Sequence, residues 1–406
     1  MEIPEILIKD YHYDLPTDRI AYVPLEQRDA SKLLLYRHGN IFDDHFFHLS
    51  HHLPPGSLLV MNNTRVIEAR IFFQKETGGL IEIFCLQPLG ENIEESLSST
   101  TTSTWQCLIG GASKWKPGQI LSKDVLIKGQ TVQLSARYIS RTNDGFEIKF
   151  SWQPSAHSFA EVLHAAGAIP LPPYIKREAT IEDSERYQTI FGKKEGSVAA
   201  PTASLHFTEK VFMELEKKQV TRDYITLHVG AGTFKPVKTD SVAHHTMHEE
   251  AFSITKELLF NLLHYNTIVA AGTTALRSLE SIYWLGVKQL HGLNANGWSL
   301  QQWEAYELSK TYAAVTKEES IMAVLKYMDD NGRDVLHSHT SLLIVPGYQI
   351  RIPHALITNF HQPQSTLLLL VSAFIGEDWK KVYNHALANN YRFLSYGDSS
   401  LLWRRD

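Results

Sequence analysis

The chain has 406 residues, 43% hydrophobic and 20% charged, which fits a soluble globular protein of two or three domains and excludes disorder throughout. Lys and Arg number 39 against 44 Asp and Glu, a formal charge of −5 that neither announces nor excludes a nucleic-acid partner, because such binding depends on a local basic patch. No apolar run reaches the ~18–20 residues of a membrane helix, no secretory signal is expected in residues 1–10, and Cys85 and Cys107 lack the spacing of a disulfide scaffold or a cysteine-rich zinc module.

Residues 13–31 read as loop and short helix, 33–36 as a strand, and 58–61 as a buried strand after the turn cluster 54–57. From 65 to 152 the texture is short β-rich runs separated by glycine turns, the pattern of a small sandwich or barrel. Within it, residues 91–104 are rich in Ser, Thr and Glu and read as a long flexible hairpin loop. After Pro154 helix and strand alternate. Helices are expected at 158–166, 207–218 (Thr208 as N-cap), 256–265, 274–283 and 365–375, and strands at 224–229, 267–271 and 341–345. The fold expected is an α/β main domain with an inserted small all-β, barrel-like domain. Its pieces are 1–64, 65–152 and 153–406, with a helical insertion at 286–339.

Six stretches carry candidate chemistry. Residues 196–208 form a small-residue loop containing Thr202 and His206 that leads into a capped helix. Residues 226–234 form a strand running into a glycine turn, with His228 at its end; the full GxGxxG fingerprint is absent, so a dinucleotide site is not expected. In 244–250, His244 and His248 are four apart, but no HExxH motif and no third ligand accompany them, so no metal is expected and Glu249 reads as a proton-transfer group or a loop anchor. Residues 269–277 are strand, glycine turn, Thr273 as N-cap, Thr274, and Arg277 in the first turn, a geometry for anions; an interior salt bridge for Arg277 has comparable weight. Residues 356–367 place Asn359 and His361 between two buried elements, and a core histidine is the competing reading. Residues 391–398 interleave aromatics with polar groups, either to stack a base or to dock the terminus.

Taken in order along the chain, these motifs resemble the S-adenosylmethionine:tRNA ribosyltransferase-isomerase family of queuosine biosynthesis. The resemblance also rests on residues 63–66, 170–175, 186–189 and 346–348. Departures from the family pattern are Gln362-Pro363-Gln364 in place of Leu-Pro-Lys, Ser204 in place of Gly and Asn63 in place of Asp.

The resemblance implies that the ribosyl moiety of S-adenosylmethionine, a co-substrate, is transferred and isomerised onto 7-aminomethyl-7-deazaguanine in a tRNA anticodon. The product is epoxyqueuosine, and adenine and methionine leave. With it come the expectations of a cytoplasmic enzyme, monomeric, with no metal and no membrane. His206, His228, Glu249 and His361 are then the catalytic candidates. Thr202, Thr273, Thr274, Arg277, Tyr187, Gln188 and Asn359 are the substrate-binding candidates, and Arg65, Lys176 and Arg177 the RNA-binding ones. An RNA methyltransferase, a non-catalytic RNA binder and a zinc hydrolase are the rival classes.

Overall fold

In the computed structural model the described residues are 5–90, 92–142, 145–230, 239–294 and 297–405. Two large sheets organise them. The first has ten strands, and at its centre four run parallel: Thr221–Leu227, Ser57–Asn62, Thr267–Ala271 and Ala355–Asn359. Beyond Ala355–Asn359 lie Ser399–Trp403, Lys32–Arg37 and Asn40–His45; beyond Thr221–Leu227 lie Glu250–Thr255, Val335–Thr340 and Ser299–Leu300.

Side chains alternate across a strand, so a central strand covered on both sides must be apolar at every position. Leu58–Met61, within the strand Ser57–Asn62, obeys this. Leu58 and Val60 enter the core under the 18-residue helix Thr273–Leu290, while Leu59 and Met61 enter the opposite core with Val211, Phe212 and Leu215 of the helix Glu209–Lys217.

The helix Thr273–Leu290 runs seven residues past the expected end at 283. Its Gly286 abuts Ser320 of the helix Lys317–Asp330, and a Cβ there would lie 2.3 Å from the Ser320 carbonyl oxygen. The two helices can approach this closely only because that position is a glycine.

The second sheet has seven antiparallel strands, from Arg70–Gln74 to Gly167–Ala168 in the chain, and its own core around Trp105, Phe150, Trp152 and Phe159. It curls, so that Arg70–Gln74 contacts Ile120–Ile127. The helix Phe159–Ala166 fills this core, and Val198 reaches into it from beyond the sheet.

Two expectations are corrected. The stretch expected as a loop contains regular structure: Ile93–Ser98 is a helix, with Asn92 and Glu95 forming a reciprocal capping box. Ser96 and Leu97 are buried, and the Ser96 hydroxyl meets that of Ser103 at 2.6 Å. Residues 341–345 are buried but belong to no strand; the strand is Val335–Thr340 just before them. An apolar run marks burial, and it does not say whether a ladder accompanies it.

Candidate active site

In open α/β sheets, ligands gather at the carboxyl ends of the strands. Here Thr267–Ala271 and Ala355–Asn359 end side by side, with the Gly272 N–H donating to the Ile357 carbonyl at 2.8 Å. A cavity of about 700 Å³ opens at this point. Its walls include Thr202, Thr273, Thr274, Asn359 and His361, so five residues singled out in the sequence come together there.

Gly272, at φ 98°, turns the chain from strand into the helix Thr273–Leu290. The N-cap is this glycine and not Thr273, and no side chain caps the helix start. The first N–H groups therefore face the pocket end with the positive pole of the helix behind them.

Asn359 is buried. Its Oδ1 accepts from the Thr202 hydroxyl at 2.9 Å, and its Nδ2 has no hydrogen-bond partner among the described residues. An unsatisfied buried amide donor costs about 1–3 kcal/mol, which a ligand acceptor recovers.

His361 is held at its main chain: its N–H donates to the Tyr383 hydroxyl at 3.0 Å, and its carbonyl accepts from Tyr13. Nε2 of its ring meets the Thr358 hydroxyl at 2.9 Å, leaving Nδ1 as the nitrogen without such a partner among the described residues. Burial pushes the imidazole down to about 3, so it is neutral in the empty pocket at physiological pH. Tyr174 and Ser395 bond each other on the far wall. Nothing local in the sequence announces Tyr13 or Tyr383. Tyr174, Thr358 and Ser395 do lie inside motif stretches.

The remaining candidates sit elsewhere. His206 lines a second, smaller cavity with Arg28, Arg186 and Arg392. His228 is pushed down to about 4 by burial, with Glu94, Lys194 and His337 acting on it through space. Glu249 is exposed, with Ser299 at 3.4 Å. Arg277 is buried and ion-paired with Glu250, the interior salt bridge that is one of its two readings. Burial lowers its guanidinium to about 10.

Gln188 is likewise committed internally. Its Oε1 accepts from the Val66 N–H at 2.9 Å and its Nε2 donates to the Val66 carbonyl at 2.8 Å. Tyr187 is fully buried, edge-on to Tyr396. Tyr391 and Tyr396 are also buried, so the C-terminal aromatics dock the terminus and present no stacking face. Arg65 and Lys176 are exposed, whereas Arg177 is clamped by both oxygens of Asp183. Gly232 and Phe234 of the strand–glycine motif lie outside the described residues. Among the described residues no group of three or more His, Cys, Asp or Glu is placed to hold a metal.

A family model described as "Queuosine biosynthesis protein" matches residues 8–402. The chain belongs to that family. Relatives named S-adenosylmethionine:tRNA ribosyltransferase-isomerase include those of Azoarcus sp. (strain BH72), 36% identical over 98% of both chains, and Xanthomonas oryzae pv. oryzae, 38% identical over 98% of this chain and 96% of the other. The Thermotoga petrophila relative of the same name is 37% identical over 97% and 99%. A crystal structure of S-adenosylmethionine tRNA ribosyltransferase from Thermotoga maritima is 28% identical over 97% of this chain and 99% of that one, with a TM-score of 0.46. The family's end-to-end match takes in both sheets and the pocket between Thr202 and His361.

Proposed function

We propose that the chain is an S-adenosylmethionine:tRNA ribosyltransferase-isomerase. It transfers and isomerises the ribosyl moiety of S-adenosylmethionine onto 7-aminomethyl-7-deazaguanine in a tRNA anticodon, giving epoxyqueuosine and releasing adenine and methionine. Relatives bearing that name match almost every residue of the chain, and this observation carries the reading. A cytoplasmic location goes with a tRNA substrate, and no helix among the described residues is long and apolar enough to cross a membrane. The enzyme acts as a monomer. Segments 1–64 and 153–406 form its reaction domain, and 65–152 the inserted one.

The chemistry sets four demands: a base near C5′ of the sulfonium nucleoside, an uncharged attacking amine, a proton donor for the departing adenine, and fixed dipoles for the developing charges. The pocket joins apolar walls to a few converging polar groups, as small-molecule sites do. His361 Nδ1, neutral, is the base or hydrogen-bond acceptor of the pocket, and Thr358 sets its tautomer. Asn359 Nδ2, steadied by Thr202, donates to a ring nitrogen or a sugar oxygen of the nucleoside.

The free N–H groups at the start of Thr273–Leu290, with the hydroxyls of Thr273 and Thr274, receive the methionine carboxylate, a task Arg277 cannot take while it serves Glu250. His206, His228 and Glu249 stand outside this proton-transfer set, and Tyr187 and Gln188 support its walls. Arg65 and Lys176 face solvent as phosphate contacts. Incubation with S-adenosylmethionine and tRNA bearing the modified deazaguanine tests the reading. Adenine and methionine by chromatography support it, and S-adenosylhomocysteine would assign methyl transfer instead.

A further inference from the structure

The second cavity, of about 270 Å³, shares two walls with the reaction pocket. Thr202 and Ala203 face the pocket while Leu205 and His206 face the cavity; Leu394 and Ser395 face the pocket while Arg392 and Tyr396 face the cavity.

Three guanidiniums line this cavity, and they are bound almost entirely by main-chain oxygens. Arg28 donates to the carbonyls of Gln188 at 2.7 Å, Leu205 at 3.3 Å and Glu185 at 2.6 Å. Arg186 donates to Glu26 at 3.0 Å and to Leu25. Arg392 donates to Val23 at 3.3 Å and Tyr396 at 2.9 Å. Among the described residues the one carboxylate within ion-pair distance of the three is Asp398, 3.9 Å from Nε of Arg392. Glu185 acts on Arg28 through space.

Carbonyls satisfy N–H groups but carry no full charge, so the cluster keeps an excess of positive charge. Burial weighs most on both groups, and beside it Arg186 opposes charge on Arg28 while Arg392 and Arg28 oppose protonation of His206. Five N–H donors per guanidinium leave some unspent, and Nε of Arg186 is buried without a partner. His206 is 5% exposed. Its Nδ1 lies 3.2 Å from the Arg28 carbonyl and so carries the proton, while Nε2 has no hydrogen-bond partner among the described residues. The chain that leads into the lining residues Pro24 and Leu25 exposes the side chains of Tyr22 and Val23, and the Val23 carbonyl holds Arg392.

We propose that this cavity is an oxyanion subsite that takes one backbone phosphate of the RNA, next to the nucleotide being modified. Guanidinium forks match phosphate oxygens, and the shared walls place such a phosphate beside a nucleotide seated in the larger pocket. The exposed Tyr22 and Val23, next in the chain to the lining residue Pro24, favour a group that belongs to a macromolecule. The proposal rests on the RNA-modifying reading above and adds to it a site for one particular phosphate.

The test uses the intact protein and anticodon stem-loop RNAs carrying the modified base, each with one phosphate replaced by a neutral methylphosphonate. One loop position should weaken binding by about 10-fold, as loss of a charge-assisted contact does, with the others changing by less than about 3-fold. Inorganic phosphate should compete and should raise the His206 pKa read by NMR. In Arg186→Gln the penalty at that one position should vanish and the slope of log affinity against log salt should fall by about one.

A uniform scan with unchanged His206 would overturn the subsite while leaving the enzymatic reading intact. So would inorganic phosphate binding with a uniform scan, which marks a site for free phosphate. A rise in KM for S-adenosylmethionine in Arg186→Gln at unchanged RNA affinity would also overturn it, by assigning the cavity to the methionine carboxylate. No RNA binding at all would remove both readings.

Discussion

Thr202 donates its hydroxyl to Oδ1 of Asn359 at 2.9 Å, and that bond turns the Asn359 amide nitrogen into a buried donor with no acceptor among the described residues. The two residues are 157 positions apart and come from different elements, a short 3-10 turn and the last residue of a central strand. Removing the donor in Asn359→Ala should lower kcat/KM for S-adenosylmethionine by roughly 10- to 100-fold. Thr202→Val, which leaves the amide unsteadied, should give a smaller loss of the same kind. Unchanged kcat/KM in Asn359→Ala would mean that the amide does not meet the nucleoside.

His361 offers a test of chemistry as against binding. In His361→Gln the dissociation constant for S-adenosylmethionine should stay within about 3-fold, while kcat falls by about 10²–10⁴. Isothermal titration and single-turnover adenine release separate the two. Equal losses in both would make His361 a binding residue.

Three histidines should make the fold acid-labile. Burial lowers His206 and His228 to about 4 and His361 to about 3, against about 6.5 in an unfolded chain. As pH falls through 6.5 the unfolded chain takes up protons that the folded chain refuses, so stability present above 6.5 is lost. Glu280 works the other way. Burial raises it to about 7, so its neutral form favours the fold below neutrality and this contribution fades as pH rises toward 7. Between pH 5 and 6 these four groups together predict a stability that rises by about 2.4 kcal/mol per pH unit. Urea unfolding at half-unit pH steps measures this, and His361→Gln should reduce the slope. A flat profile would mean that the histidines are hydrated.

Gly286→Ala should destabilise the large domain by about 1–3 kcal/mol, because a methyl cannot fit against the Ser320 main chain and the two helices must part. Gly79, outside the left-handed region and with only the flexible ends of Lys75 and Lys114 within 4 Å, serves as a control for general glycine effects. A loss at Gly286→Ala no greater than that at Gly79→Ala would show that the helices adjust freely.

The pocket was partly legible because strand, glycine and helix start are written contiguously. Residues 267–274 announce a chain turning at a strand's carboxyl end, and 356–366 announce the next one. Tyr13 and Tyr383, which hold His361 from elements far away in the chain, leave no local mark. Arg277 shows the opposite difficulty. A guanidinium one turn into a helix suits an anion, and only the lateral placement of Glu250–Thr255 supplies Glu250 as its partner. His206 and His228 looked equivalent to His361 as motif histidines, yet walls only a few residues thick put His206 on the far side of the pocket. The helix Ile93–Ser98 was written in Asn92 and Glu95, but the polar composition around them obscured it.

The most direct measurement is the mole-for-mole balance of a single turnover with S-adenosylmethionine and tRNA containing the aminomethyl-deazaguanine. One adenine and one methionine released per epoxyqueuosine formed is the predicted result. Intact S-adenosylmethionine in the presence of folded enzyme and acceptor, or S-adenosylhomocysteine in place of adenine, would contradict it.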